Sequence, residues 1–248
     1  MYRPRIAGIT RVRNESLIIK ETLDHFSVYC DAGIYVYDDV STDNTVKICK
    51  KHPNVKGVIS TGVWDTDRET AEWQNRQAVF DFANSKDSNI DWFIYFDADE
   101  RMYFDLDAKI LENSDAVAMR LFDFYITEED KDRKYNGNLP ILRQKVGPEF
   151  RRIIMMFKNQ PGVSWNKPDQ REPNLKFGSQ VTVAGFVKHY GKAISIQHWE
   201  DTCNYYANNF PKYAEKWEKR KGKAIHMISD FGRKLYRFDE LQKVAIKI

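Results

Sequence analysis

Short apolar runs and longer amphipathic segments alternate along the first hundred residues. Four runs are rich in β-branched and aromatic residues, which is typical of strands: residues 6–12, 34–37, 55–60 and 92–96. Between the first two runs, apolar residues from Ile19 to Cys30 are spaced four, three and four apart, which predicts one buried helical stripe. Helices over 45–51 and 67–85 complete a β-α-β-α-β-α-β order. We therefore expect an α/β fold with a mostly parallel central sheet flanked by helices.

The second half of the chain alternates less regularly. Apolar runs predict strands over 115–126, 151–157 and 181–190, separated by polar loops. Aromatic residues between 201 and 220 are spaced four, three and four apart, which predicts a helix that Pro211 kinks or restarts. The sequence contains no internal repeat and no clear linker, so we expect a single domain over 1–248.

The clearest chemical signal follows the apolar run from Trp92 to Phe96. Asp97, Asp99 and Glu100 come directly after it, where the strand should deliver its carboxyl end to the ligand-binding edge of the sheet. In an extended chain Asp97 and Asp99 point to the same side, and Glu100 turns to the other face as a bystander. Two adjacent carboxylates repel unless a cation lies between them, and their oxygens suit Mg²⁺ or Mn²⁺.

Two earlier strand ends should reach the same edge. The first carries Thr10, Arg11 and Arg13, and the second carries Asp38 and Asp39. A carboxylate at that position could accept hydrogen bonds from a nucleobase or a ribose hydroxyl. The two arginines, with Arg76 of the third predicted helix, are donors suited to phosphate. His189, which closes the predicted strand over 181–190, could add a neutral ligand to a carboxylate site.

Composition narrows the class of protein. The 248 residues are 42% hydrophobic and 30% charged, which is ordinary for a soluble globular chain. The net charge of +3 is too small to indicate nucleic acid as a partner. The three cysteines are far apart and form no CxxC pair, which favours a reducing compartment. Neither a signal peptide nor an apolar run of membrane-spanning length is evident, so we expect a cytoplasmic protein.

Four motifs occur in a fixed order: IxxxRNExxxIxxxLxHF, YxxDDVSTDNT, NRQ within a helix, and FIYFDADE. Together they resemble a GT-A fold glycosyltransferase of the family 2 type over about residues 5–105. The resemblance implies a UDP- or GDP-type nucleotide-sugar donor, a saccharide acceptor and inversion in a single displacement. It also implies that Thr10 with Asp38 or Asp39 holds the nucleobase, Asp97 faces the ribose, and Asp99 binds the metal.

By the same resemblance, residues 1–105 form the donor half of a single GT-A domain. Residues 106–200 form the acceptor half, and 201–248 form a C-terminal helical extension. His189 would reach the metal late in the chain. The family's base is an acidic residue on the acceptor side, but its common signature there is missing. Three carboxylates are candidates, in the order Asp169, Glu172 and Glu149.

Other functions remain as alternatives. A sugar-phosphate nucleotidyltransferase would need a glycine-rich phosphate loop after the first strand, and residues 9–15 contain no glycine. A dinucleotide oxidoreductase would need G-x-G-x-x-G, which is missing. A non-catalytic carbohydrate- or nucleotide-binding module is a further alternative. The basic C-terminal third could also touch an anionic membrane, although interleaved acidic residues favour a solvated helix face. The sequence does not predict the oligomeric state.

Overall fold

The computed structural model describes residues 4–168 and 170–248. It confirms the predicted alternation in the first hundred residues. The strands are β1 (Ile6–Val12), β2 (Ile34–Asp38), β3 (Val55–Ile59) and β4 (Trp92–Tyr95), and the helices are α1 (Ile19–Ser27), α2 (Thr45–Lys51) and α3 (Arg68–Lys86). α1 forms because its apolar stripe is buried completely, as in Leu23 and Phe26.

These four strands pair in parallel, in the order β3-β2-β1-β4. The register places Val12 opposite Asp38 and Ile9 opposite Tyr95. The carboxyl ends of β1, β2 and β4 therefore lie at one edge of the sheet, as the sequence predicted. α1 packs under that edge, where the Phe26 and Phe96 rings stack with centroids 3.8 Å apart.

The later elements do not continue this regular alternation. They are β5 (Glu100–Tyr103), α4 (Ala108–Glu112), β6 (Ala116–Tyr125), α5 (Leu139–Leu142), β7 (Lys145–Lys158), β8 (Val181–His189), α6 (Ile196–Asn209), α7 (Ala214–Glu218), β9 (Tyr236–Arg237) and β10 (Ile246–Lys247). A 3₁₀ turn that begins at Pro211 separates α6 from α7, because proline cannot supply the helical N–H and restarts the helix.

The predicted central sheet flanked by helices is present, but the sheet is not purely parallel. β4 pairs antiparallel with β7, as in Phe93 opposite Phe157, so the sheet is mixed. The full strand order is β3-β2-β1-β4-β7-β6-β8-β5. The second half reaches the sheet through long strands rather than through further β-α-β units, which is why helical crossovers do not recur there.

The chain divides into two compact units, and the boundaries fall inside β6, β7 and β8. Unit one comprises Met1–Met119 and Ile153–Gly185, and unit two comprises Arg120–Arg152 and Phe186–Ile248. The core of unit one includes an aromatic cluster in which Phe80 and Phe157 pack against the fully buried Trp165. Within unit two, β9 pairs antiparallel and β10 parallel with β7.

Among the described residues, none of the helices combines the length and apolar character that crossing a bilayer requires.

Candidate functional site

The loops that follow β1 and β2 are joined by hydrogen bonds. The side chain of Asn14 accepts from the backbone N–H of Thr42 at 2.8 Å, and Ser41 Oγ accepts from the N–H of Asn14 at 3.0 Å. Thr45 Oγ1 accepts from the N–H of Glu15 at 2.8 Å. Side-chain oxygens of the RNE and STDNT motifs therefore accept hydrogen bonds from backbone N–H groups of the opposite loop. These bonds hold the two loops together at the edge of the sheet.

Asp39 lies at the centre of a buried charge network. Its carboxylate accepts from Arg11 Nη1 at 2.9 Å and from Asn75 Nδ2 at 3.1 Å, and it also pairs with the fully buried Arg68. The second guanidinium nitrogen of Arg11 donates to Glu72 at 2.9 Å. Three donors thus bind the Asp39 carboxylate, so its first role is to hold β1, β2 and α3 together.

Asp38 is buried but engaged more weakly. In the described part of the chain, its two oxygens accept only from the N–H of Ser41, at 3.2 and 3.3 Å. Val40, two residues after Asp38, has a φ of +59°, which is rare for a β-branched residue. Backbone strain of this kind collects at functional sites, because the surrounding structure must enforce it. The Asp38 carboxylate is therefore better placed than that of Asp39 to accept hydrogen bonds from a ligand.

Trp64 lies beside this network and contacts two guanidinium groups. Arg13 lies 3.6 Å and Arg68 lies 3.9 Å from a Trp64 ring centroid. Arg13 Nη1 also donates to the carbonyl of Asp39 at 2.7 Å. The indole therefore holds both arginines at the end of β2 through cation–π contacts. The predicted phosphate donors Arg11 and Arg13 are thus side chains in fixed positions at this edge.

Asp97 receives hydrogen bonds from two directions. The Tyr95 hydroxyl donates to Asp97 Oδ1 at 2.8 Å, and Tyr95 in turn accepts from Arg76 Nε at 2.9 Å. Arg171 Nε donates to the other carboxylate oxygen at 3.3 Å. Burial would raise the pKa of Asp97, but Arg171 and Arg76 outweigh it and hold that pKa below its ordinary value. Asp97 is therefore a fixed anion in the folded chain.

The chain turns at Ala98 and Asp99 instead of staying extended. The N–H of Glu100 donates to the carbonyl of Asp97 at 3.1 Å, which closes the turn and starts β5. Glu100 is therefore not a bystander: its side chain is 1% exposed and accepts from Asp97 N at 3.1 Å. Arg171 donates to both of its carboxylate oxygens at 2.6 Å. Glu100 holds the turn that presents Asp97 and Asp99.

Glu15 adds a third carboxylate near this turn. Burial, reinforced by the charge of Asp99 and then Asp97, raises the pKa of Glu15 to about 8, although Arg11 opposes the shift. Negative charge is thus concentrated at Asp97 and Asp99, beside a Glu15 carboxyl that its raised pKa keeps mostly protonated at neutral pH. Within 4–168 and 170–248, however, the structure contains no group of three His, Cys, Asp or Glu side chains arranged to enclose a metal ion.

The predicted metal ligand His189 belongs to unit two. Its Nδ1 lies 2.5 Å from Asp123 Oδ1, and Lys192 Nζ lies 2.7 Å from the other oxygen of that carboxylate. Burial would raise the pKa of Asp123, but Lys192 and His189 keep it well below its ordinary value. A histidine that donates Nδ1–H to a carboxylate has Nε2 as its basic nitrogen, which is the usual arrangement of a ligating imidazole.

The three candidate bases have different surroundings. Asp169 lies outside the described residues. Glu172 is partly exposed, and no described side chain or backbone group hydrogen-bonds its carboxylate. Glu149, in unit two, is 6% exposed and accepts from Ser229 Oγ at 2.9 Å.

Thr10, the remaining predicted donor-binding residue, is fully buried in β1, and its hydroxyl has no hydrogen-bond partner among the described residues.

Several residues of this site were not predicted from the sequence: Glu15, Trp64, Arg68, Glu72, Asn75 and Arg171. One signal was present. In α3 the apolar stripe that contains Val79 and Ala83 continues towards the N-terminus as buried polar residues at helical spacing, including Arg68 and Glu72. Polar side chains on the buried face of a helix must find partners, which here are the strand-end carboxylates and Arg11.

Comparison with known proteins gives limited matches. No protein-family profile matches the chain. A stretch of 55 residues, 22% of the chain, is 44% identical to an uncharacterised protein of Mycobacterium bovis and to one of Mycobacterium tuberculosis. The chain spans 13% of the length of each of these relatives. The crystal structure of mannosyl-3-phosphoglycerate synthase from Rubrobacter xylanophilus aligns with a TM-score of 0.32 and 19% identity, over 52% of this chain and 42% of that one. These matches assign no family.

Proposed function

We propose that this chain is a glycosyltransferase that moves a sugar from a nucleoside-diphosphate sugar to an acceptor hydroxyl, with inversion at the anomeric carbon. One observation carries the proposal. The three motif-bearing strand ends lie at a single sheet edge, where Arg11 binds Asp39 at 2.9 Å and Asp97 is held by Tyr95 and Arg171. Ligands of open α/β sheets bind at that edge.

Different residues at this edge would bind different parts of the nucleotide-sugar donor. Asp38, with the buried Thr10 hydroxyl, would bind the nucleobase, because the Asp39 carboxylate already accepts from three protein donors. Asp97 would accept from the ribose. Arg11, Arg13 and Arg76 would donate hydrogen bonds to the diphosphate, although each also has a partner within the protein. UDP- and GDP-type donors both remain open.

Asp99 is the first-choice ligand for Mg²⁺ or Mn²⁺ and Asp97 the second; His189, in unit two, stays a candidate only through the resemblance of the sequence. Carboxylate oxygens suit these hard cations, and both aspartates lie in the turn that follows β4. When bound, the metal would neutralise charge on the leaving diphosphate.

The reaction itself needs one protein base. The acceptor oxygen would form its bond to the anomeric carbon while the bond from that carbon to the diphosphate oxygen breaks. The hydroxyl proton would pass to a carboxylate, for which Asp169 is the first candidate, Glu172 the second and Glu149 the third. The acceptor would be a glycan or a lipid-linked saccharide.

A thermal-stability titration tests the proposal. UDP, GDP and their sugar conjugates are added with and without Mn²⁺, and a donor at a hundred times its dissociation constant should add about 2.7 kcal/mol to the free energy of unfolding. Asp99→Asn should remove the Mn²⁺-dependent part, whereas Asp105→Asn, an exposed carboxylate in the same segment, should not. If no nucleotide stabilises the chain in the presence of metal, the proposal fails. Binding without turnover of any donor would indicate a binding module instead.

A further inference from the structure

Positive charge is concentrated in the last thirty residues. Residues 219–248 contain nine lysines and arginines against three aspartates and glutamates, whereas the whole chain carries only +3. The preceding part of the chain is therefore net negative. A local excess of this size creates a potential that attracts an anionic partner.

Residues 227–234 form a short hairpin within this segment, here called the basic hairpin. Ile228 and Lys234 pair as an antiparallel bridge. The N–H of Ser229 donates to the carbonyl of Arg233 at 2.8 Å, and the N–H of Gly232 donates to that of Ser229 at 2.9 Å. Gly232 supplies the positive φ of +75° that this tight reversal requires. The basic hairpin is thus a defined element of unit two.

The polar groups at the base of the hairpin are anchored inside unit two. Ser229 is 4% exposed, and its hydroxyl donates to Glu149 at 2.9 Å. The carboxylate of Asp230, the only acidic residue of the hairpin, pairs with Lys192 at 2.8 Å and with Arg220 at 2.7 Å. The acidic charge of the hairpin is therefore neutralised within the protein, and its remaining charges are positive.

The outward side chains of the basic hairpin are apolar and cationic. Met227 is 86% exposed, Ile228 is 52% exposed and Phe231 is 55% exposed. Arg233 and Lys234, which follow them, are exposed as well. Single exposed apolar residues are ordinary, but three large ones within five positions form a patch that water solvates poorly.

A groove of about 570 Å³ begins at the same residues. Arg233, Lys234 and Lys243 contribute its cations, and the other residues that line it are uncharged: Pro148, Tyr236, Val244, Ala245 and Ile246. Arg233 also lies 3.5 Å from Glu149 but keeps 54% of its side chain exposed. A cationic groove beside an apolar tip is complementary to a surface that presents anionic groups above an apolar layer.

We propose that the basic hairpin docks unit two on an anionic phospholipid surface. Met227, Ile228 and Phe231 enter the interface between headgroups and acyl chains, while Arg233, Lys234 and Lys243 bind lipid phosphates. Nucleic acid, the other large anion, is less suitable, because two of the three exposed apolar side chains of the hairpin, Met227 and Ile228, are aliphatic and offer no ring on which bases stack. The binding is peripheral and does not depend on the transferase proposal.

Vesicle sedimentation tests the proposal directly. The full chain is mixed at low salt with one of two kinds of vesicle. The first is phosphatidylcholine alone, and the second is phosphatidylcholine in which about a third of the lipid is the anionic phosphatidylserine. We expect binding to the anionic vesicles only, weakened by added salt. Each basic charge lost should lower the partition coefficient about fivefold, so the double variant Arg233→Gln/Lys234→Gln should lower it about thirtyfold. Phe231→Ser should lower it as well.

Matched controls separate docking from general charge and hydrophobicity. Lys50→Gln/Lys51→Gln removes two exposed charges from α2 in unit one, and Phe177→Ser removes a fully exposed aromatic ring. Neither should change the partition coefficient. Met227→Cys gives one accessible thiol, because the three native cysteines are buried, and a polarity-sensitive dye attached there should shift to the blue on anionic vesicles.

Three results would overturn the proposal. The first is equal binding to neutral and anionic vesicles, and the second is an equal loss of binding in the control variants. The third is a dye at position 227 that reports water in the bound state. Tighter binding to a single-stranded oligonucleotide than to the anionic vesicles, lost in the same double variant, would assign the hairpin to nucleic acid. Inorganic phosphate that abolishes vesicle binding at constant ionic strength would assign the groove to a free anion.

Discussion

Arg171 Nη2 lies 2.6 Å from each carboxylate oxygen of Glu100, 71 positions earlier in the chain. The Glu100 side chain is 1% exposed, and that of Arg171 is 21% exposed. Although burial opposes its charge, Glu100 and then Asp97 raise the pKa of Arg171. This ion pair ties the loop that follows Trp165 to the turn that carries Asp97 and Asp99, so the geometry of the candidate metal site depends on it.

Breaking this pair should destabilise the chain strongly. Glu100→Gln leaves the partly buried Arg171 without its main counter-charge, and we expect a loss of about 3 kcal/mol in the free energy of unfolding, measured by urea denaturation. Arg171→Met should cost a similar amount for the converse reason. The double variant should lose less than the sum of the two, because neither charge is then left alone.

Glu112→Gln provides the control, since Glu112 is an exposed carboxylate at the end of α4 and should change stability by less than about 0.5 kcal/mol. Additive losses in the double variant would mean that Glu100 and Arg171 do not act as a pair.

The adjacent carboxylates Asp38 and Asp39 should respond differently to substitution. Asp39→Asn leaves Arg11 and the buried Arg68 without their shared anion and should cost about 3 kcal/mol of stability. Asp38→Asn affects only a weak contact with the N–H of Ser41, so we expect a loss below about 1 kcal/mol. Nucleotide-induced stabilisation should nevertheless fall in Asp38→Asn. If Asp38→Asn unfolds the chain and Asp39→Asn leaves it stable, their roles are reversed.

The sheet edge was predictable because its signals are local. The apolar runs that become β1, β2 and β4 end at Val12, Asp38 and Tyr95, and the parallel order follows from the helical segments between them. The polar groups after those runs had to meet, because the carboxyl ends of parallel strands share one edge. The positions of Arg11, Asp39 and Asp97 could therefore be predicted from pattern alone.

The partners that complete the site depend on contacts between distant parts of the chain. Arg171 lies 74 positions after Asp97 and reaches it only because β7 pairs antiparallel with β4. Periodicity carries no information about that pairing. The turn at Ala98 and Asp99 also escaped prediction, because D-A-D contains neither glycine nor proline and reads equally well as extended chain. Because the chain turns there, the Glu100 side chain points inward and is buried.

Acid should weaken the fold of unit one through His25. Burial, followed by the charge of Arg101, lowers the pKa of His25 from 6.5 to about 4 in the folded chain. Between those values the unfolded chain binds a proton that the folded chain does not, so stability falls as the pH drops from 6.5 towards 4 and is constant below that. At pH 5 we expect His25 alone to contribute a loss of about 2 kcal/mol relative to pH 8.

Urea denaturation of the chain and of His25→Gln at the two pH values measures this loss. Glutamine can donate to the carbonyl of Met102, which His25 Nε2 contacts at 2.8 Å, but it does not titrate. The variant should therefore lack about 2 kcal/mol of the pH dependence. The same pH dependence in both proteins would show that His25 has an ordinary pKa in the folded chain.

The general base can be identified by separating turnover from donor binding. Asp169→Asn should lower the release of nucleoside diphosphate from a donor by about 10²- to 10⁴-fold and leave nucleotide-induced stabilisation unchanged, because a base contacts the acceptor and not the donor. Glu149→Gln is the contrasting variant. The Glu149 carboxylate is committed to Ser229 Oγ at 2.9 Å, so this variant should lose about 1–3 kcal/mol of stability and keep its turnover. Retained turnover in Asp169→Asn would transfer the role to Glu172, whose carboxylate has no hydrogen-bond partner in the described part of the chain and is available to an acceptor hydroxyl.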